Sequence, residues 1–178
     1  LGFSYDGQWL YSLGGLPTFR LSAISMDNRE EAYGINFELP IGERISVCPI
    51  KPRLIAIYGD SKINIPQLPG DLTDYKPVHL RFYTLLGSSS RYSFSEVISD
   101  VPDPIISFCW SPQSEEECIV GTSTGYIYFV NTTNGEFTRE PFSLEYLGEG
   151  EQNATAIFCT YKYMITSGTS GNLYWLEL

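Results

Sequence analysis

The only histidine is His79, in a strand-like stretch behind Pro77. A Ser-His-Asp or Cys-His relay needs an imidazole beside its nucleophile. A single histidine in that setting reads as a surface or core-edge residue. Metal sites of the His/Cys type fail on count, because Cys48, Cys109, Cys118 and Cys159 are scattered without a CxxC spacing. Glu115-Glu116-Glu117 is the one charge run. Paired carboxylates can act as acid and base or take a calcium ion, but adjacent glutamates on a bend between strands are expected simply to solvate it. Gly121-Thr-Ser-Thr-Gly125 and Gly168-Thr-Ser-Gly171 precede strand-like runs, not helices. They are therefore hairpin turns and not phosphate loops. No catalytic residue, metal ligand or cofactor site is assigned.

Recognition has better candidates. Tyr5, Trp9, Tyr11, Tyr161 and Tyr163 lie at or beside turns, and aromatic side chains are favoured anchors for a protein partner. The competing reading packs them between neighbouring structural units. Glu149 and Glu151, with Glu145, make an acidic loop suited to a basic partner. Asn131 and Asn153 fit the glycosylation sequon and are taken as chance matches.

The elements that must position these residues are short strands. Ile105–Trp110 is an apolar run ending at Ser111-Pro112. Cys118–Thr122 follows an acidic bend, and Tyr126–Val130 follows the turn at Thr124-Gly125. Strand, bend, strand, glycine turn, strand is how one blade of a β-propeller is written. Phe137–Leu147, after Asn134-Gly135, is expected as the outer strand of this blade.

The same unit repeats. A first blade over 1–43 takes Leu1–Ser4, Trp9–Leu13 after Asp6-Gly7, Thr18–Met26 with period-two alternation, and Ala32–Leu39. A second, 44–102, opens with Ile45–Cys48 and the fully apolar Arg53–Tyr58, and closes with Tyr92–Ile98. Its third strand is either Ile63–Ile65 or, favoured, Val78–Leu86, with Asp60–Pro77 then an insertion carrying three prolines. The third blade is 103–152. The fourth, 153–178, has Ala154–Thr160, Tyr163–Ser167 and Asn172–Leu178 and lacks an outer strand. Gly125 and Gly171 stand 46 residues apart, and Phe108-Cys109 and Phe158-Cys159 stand 50 apart. That spacing is propeller periodicity. No stretch holds a 3.6-residue period with caps, so almost no helix is expected.

Composition sets outer bounds. The 178 residues are 43% hydrophobic and 15% aromatic, enough for one domain with a core. A net charge of −10 argues against nucleic acid or an anionic membrane as direct partner, since Lys and Arg carry phosphate binding. No apolar run reaches the length of a membrane span. Unpaired cysteines in apolar strands point to core thiols in a reducing, cytoplasmic compartment. A start at Leu1 within a strand-like segment leads us to expect an excerpt of a longer protein.

Phe3-Ser4-Tyr5-Asp6-Gly7-Gln8-Trp9-Leu10 resembles the FSxDGxxL opening of a WD-repeat blade, and Trp110-Ser111-Pro112 is similar to it. Leu173-Tyr-Trp-Leu-Glu177 resembles that repeat's third-strand ending, with Trp175 near the family's Trp. No Trp-Asp dipeptide occurs and His79 is not in a Gly-His pair, so the family's Asp-His-Ser/Thr-Trp network is expected to be missing. Gly14-Gly15-Leu16-Pro17-Thr18-Phe19-Arg20-Leu21 further resembles the large WD-repeat proteins of cilia and flagella. The resemblance implies an all-β, partial WD-repeat-like propeller of about four blades of four antiparallel strands, part of a ring of about seven. It implies a non-enzymatic scaffold in a multiprotein complex, joined to the remaining blades of the same protein. On the ciliary likeness it is an axonemal tether between dynein motors and the microtubule doublet. A cytoplasmic WD-repeat adaptor in translation or trafficking and a propeller hydrolase are the alternatives.

Overall fold

A computed structural model describes residues 1–15, 18–37, 41–60, 78–88, 91–148, 150 and 152–178. Strands β1 (Gly2–Phe3), β2 (Trp9–Leu13), β3 (Phe19–Ser25) and β4 (Glu30–Phe37) form the first sheet. The second holds β5 (Arg44–Val47), β6 (Leu54–Tyr58), β7 (Leu80–Ser88) and β8 (Arg91–Ser99). The third holds β9 (Ile105–Trp110), β10 (Glu117–Thr122), β11 (Tyr126–Asn131) and β12 (Phe142–Ser143). The fourth has three strands, β13 (Ala156–Cys159), β14 (Tyr163–Ser167) and β15 (Leu173–Glu177). Each sheet is an antiparallel meander in chain order. Four such sheets, packed face against face in sequence, make a partial β-propeller.

The turns form for local reasons. In the first, Gly7 takes φ +71° while the Ser4 hydroxyl donates to Asp6 Oδ1 (2.6 Å) and accepts from the Trp9 amide (2.9 Å). Side-chain closure of this kind favours the turn over a continued strand.

Three apolar layers hold the sheets together, and strand alternation assigns each residue to one of them. On β6, Ile55 and Ile57 enter the layer against the first sheet, while Leu54 and Ala56 enter the layer against the third. A strand buried on both faces must be apolar throughout, which explains its sequence, LIAIY. On β10, Cys118 and Val120 face the second sheet and Ile119 faces the fourth. Each fully buried Ile or Leu contributes on the order of 1.5–3 kcal/mol.

Two expectations meet the structure differently. The second sheet takes its third strand from Leu80–Ser88, close to the favoured Val78–Leu86. Ile63–Ile65 and nearly all of the proposed insertion lie outside the described residues. Phe137–Leu147 is not an outer strand. Phe137 makes one isolated bridge to Val130, β12 has two residues, and a single 3-10 turn covers Leu144–Tyr146. Pro141 has no amide to donate to a ladder, and Leu144 turns inward to complete burial in the layer against the fourth sheet.

Candidate protein-interaction site

The first-to-second strand turns of the four sheets are joined side to side. Tyr11 on β2 donates its hydroxyl to the Pro52 carbonyl in the β5–β6 bend (3.0 Å). Lys51 in that bend lies 3.6 Å from Glu116 in the β9–β10 bend. Gln113, in the same acidic bend, donates to the Tyr161 carbonyl in the β13–β14 turn (2.9 Å). With Asp6 and Gln8 of the first turn lining one cleft with Lys51 and Pro52, these contacts place the four turns on one face.

Of the aromatic candidates, Tyr5, Tyr161 and Tyr163 are exposed, at 87%, 75% and 40%. Tyr5 and Tyr161 sit on the turns of the first and fourth sheets, with two sheets between them. Trp9 and Tyr11 are not surface anchors, being 5% and 0% exposed. They stand two apart on β2, so period two turns both toward the second sheet. Burial pushes the Tyr11 phenol well above its ordinary range. Glu149 and Glu151 lie outside the described residues.

Arg53 organises the cleft above Trp9. Its guanidinium lies 5.4 Å from the Trp9 ring centre and 5.9 Å from that of Tyr92, whose ring meets Trp9 edge-on at 5.4 Å. Nη1 donates to the Gly87 carbonyl (2.8 Å). The cleft has a volume of about 620 Å³ and runs over the first three sheets. Leu54, Leu86 and Val97 supply apolar lining, Thr84, Ser95 and Thr133 supply hydroxyls, and Lys51 and Arg53 supply positive charge. Asp6 at its edge is held ionised below the usual carboxylate range, first by the Ser4 hydroxyl and then by the Gln8 amide. An apolar floor with a few polar groups around it is the usual make-up of a binding pocket. Arg53 reads in the sequence only as the start of an apolar run. Its position directly after Pro52 is the one local signal that it belongs to a bend.

The other chemical candidates have structural partners. His79 is buried, and its Nδ1 lies 3.2 Å from the Gly59 carbonyl. Glu117 departs from the expected solvated bend. It is the first residue of β10, buried, and it accepts from the Thr138 hydroxyl (2.5 Å) and Arg139 (3.4 Å). The ladder partner Asn131 fixes it in the strand. All four cysteines are free, with Cys48 and Cys118 buried and Cys109 and Cys159 half-buried. Among the described residues no group of three His, Cys, Asp or Glu side chains could hold a metal ion, and no helix is long and apolar enough to cross a membrane.

No protein-family model matches the chain. No curated protein matches it either. Solved structures do. The chain is similar over its whole length to the β-propeller domain of Cps50 (Swd1) from Myceliophteria thermophila, with a TM-score of 0.64 and 10% identity. It spans about half of that domain, 51%. It is also similar to the computationally designed protein Ika4, with a TM-score of 0.59 and 9% identity over 99% of this chain and 89% of the designed one. At such identity the likeness establishes the propeller fold and nothing finer.

Proposed function

We propose that this chain is a non-enzymatic, WD-repeat-like scaffold segment that docks protein partners of a larger complex on the face carrying the first-to-second strand turns. The observation that carries this reading is the Arg53 cleft. Rigid sheets hold Trp9, Tyr92 and Arg53 in one cluster beside an apolar floor, with exposed Tyr5 next in the chain to the lining residue Asp6. A preformed cluster loses little conformational freedom when a partner binds.

The same reading gives the two end sheets a role in joining further blades of the same protein. Their outward faces carry exposed apolar residues: Phe3 on the first, Phe158 and Trp175 on the fourth. Each interior sheet boundary is an apolar layer of the same kind. Within this scaffold reading, an axonemal tether between dynein and the microtubule doublet rests on the Gly14–Leu21 motif alone, of which Leu16 and Pro17 lie outside the described residues.

Affinity purification of the full-length protein from ciliated cells, beside an Arg53→Glu variant, tests both levels. The scaffold reading expects a defined set of co-purifying proteins that falls about tenfold in the variant. The axonemal reading expects dynein and tubulin-associated proteins among them. Recovery of ribosomal or coat proteins without tubulin or dynein discards the axonemal reading, and equal recovery by both proteins discards the cleft.

A further inference from the structure

We propose that the Arg53 cleft recognises an acidic side chain, Asp or Glu, carried beside an apolar residue on a partner protein. The proposal rests on the docking reading above and adds the chemistry of the contact. Arg53 is half-buried, directly behind Pro52 and one residue before β6.

The partners of Arg53 set it apart from other cations of the chain. Lys51 pairs with Glu116, Arg81 with Glu96 and Arg139 with Glu117. Among the described residues no carboxylate pairs with Arg53. Neutral groups hold it instead: the Trp9 and Tyr92 rings and the Gly87 carbonyl. Rings attract a cation without cancelling its charge. Asp6, which also lines the cleft, takes its Oδ1 hydrogen bonds from the Ser4 hydroxyl (2.6 Å) and the Gln8 amide (3.0 Å). A guanidinium carries five N–H donors in a fixed fork, and the Gly87 carbonyl engages only Nη1. A carboxylate is the group that meets such a fork with two parallel bonds.

The rest of the cleft narrows the ligand. Ile50 and Leu86 line it and stay 52% and 48% exposed. Exposed apolar surface in one cleft with an uncompensated cation calls for a ligand of both characters. A polypeptide segment supplies both through successive side chains. Charge then separates carboxylate from phosphate. Arg53 offers one positive charge, and Asp6 is ionised at the edge, so a monoanion matches the cleft. A phosphorylated side chain brings nearly two negative charges against that one. The chain as a whole carries a net charge of −10. Its surface in general repels an acidic segment, which confines the attraction to this cleft.

The test is selection of a displayed random-peptide library on the full-length protein. Cleft binders are those lost on Thr84→Trp or Leu86→Trp, whose added rings fill the cleft without changing its charge. They are expected to share an Asp or Glu next to an apolar residue. Synthetic copies, titrated by fluorescence polarisation, are expected to bind about tenfold more weakly when that acid becomes Gln, and about tenfold more weakly to Arg53→Met. The Gln peptide is expected to bind Arg53→Met no worse than it binds the unsubstituted protein. Arg53→Lys keeps the charge and loses the fork, so it is expected to fall in between. Cleft binders without an acid overturn the inference and leave the docking reading standing. So does an acid whose change to Gln costs as much in Arg53→Met as in the unsubstituted protein, or a phosphoserine that binds more tightly than Glu in the same peptide. A selection that yields no cleft binder overturns both.

Discussion

The Tyr11 hydroxyl donates to the Pro52 carbonyl across the boundary between the first and second sheets, 3.0 Å away. One side chain so contributes both to the apolar layer and to holding the β5–β6 bend against the first sheet. Replacing Tyr11 by Phe keeps the ring and leaves the carbonyl short of a donor. The expected loss is about 1 kcal/mol by urea unfolding, against roughly 3–5 kcal/mol for Tyr11→Ala, which also opens a cavity.

The same burial sets a pH dependence. The folded Tyr11 and Tyr83 phenols titrate above their unfolded value of about 10. A raised folded value means the native state holds its proton longer than the unfolded chain does. That contribution is fully present below about pH 10 and is lost as pH climbs toward the folded values, at up to about 1.4 kcal/mol per pH unit per tyrosine. The urea midpoint is expected to be flat in this respect from pH 7 to 9, then to fall. The fall is shallower in Tyr11→Phe.

Gly121 lies at the boundary between the third and fourth sheets. A Cβ there would meet the Ser107 hydroxyl oxygen, the Ala154 Cβ at 2.5 Å and the Ala154 carbonyl oxygen at 2.9 Å. Gly121→Ala is expected to cost about 1–3 kcal/mol by overpacking. It also displaces the Ser107–Ala154 hydrogen bond, so amide exchange at the β9–β13 boundary should speed up more than at the β2–β6 boundary.

Buried and exposed apolar residues should differ in what their removal costs. Ile119, fully buried between the third and fourth sheets, is expected to cost roughly 2–5 kcal/mol when changed to Ala. Trp175, 67% exposed on the outward face of the fourth sheet, should change stability by less than about 0.5 kcal/mol when changed to Ser. Light scattering of residues 1–178 should show less self-association in Trp175→Ser, because an apolar patch invites contacts between copies.

Glu117 separates from its neighbours in the acidic run. Its carboxylate is buried and bonded to Thr138 and Arg139, whereas Glu115 is exposed. Glu117→Ala strands the Thr138 hydroxyl and the Arg139 guanidinium, which also lies 4.1 Å over the Phe129 ring. A loss of about 1–3 kcal/mol is expected for Glu117→Ala and within 0.5 kcal/mol for Glu115→Ala, both read from urea midpoints.

Where strands and turns fall was legible in the residues. Trp9–Leu13, Ile105–Trp110 and Tyr163–Ser167 were expected with the boundaries observed, because period-two alternation and glycine turns are properties of a few adjacent residues. The continuous apolar run on β6 even announced burial on both faces. Alternation names two faces of a strand, however, and does not say which meets solvent. For Trp9 and Tyr11 the sequence left both readings open, partner anchor or packing between units, and the second sheet decides for packing. The outer segment of the third unit failed for a related reason: Leu144 follows the demand of a neighbouring sheet and not its own strand. The Arg53 cluster and the Ser107–Ala154 hydrogen bond join residues far apart in the chain, and only the packing of one sheet on the next sets such distances.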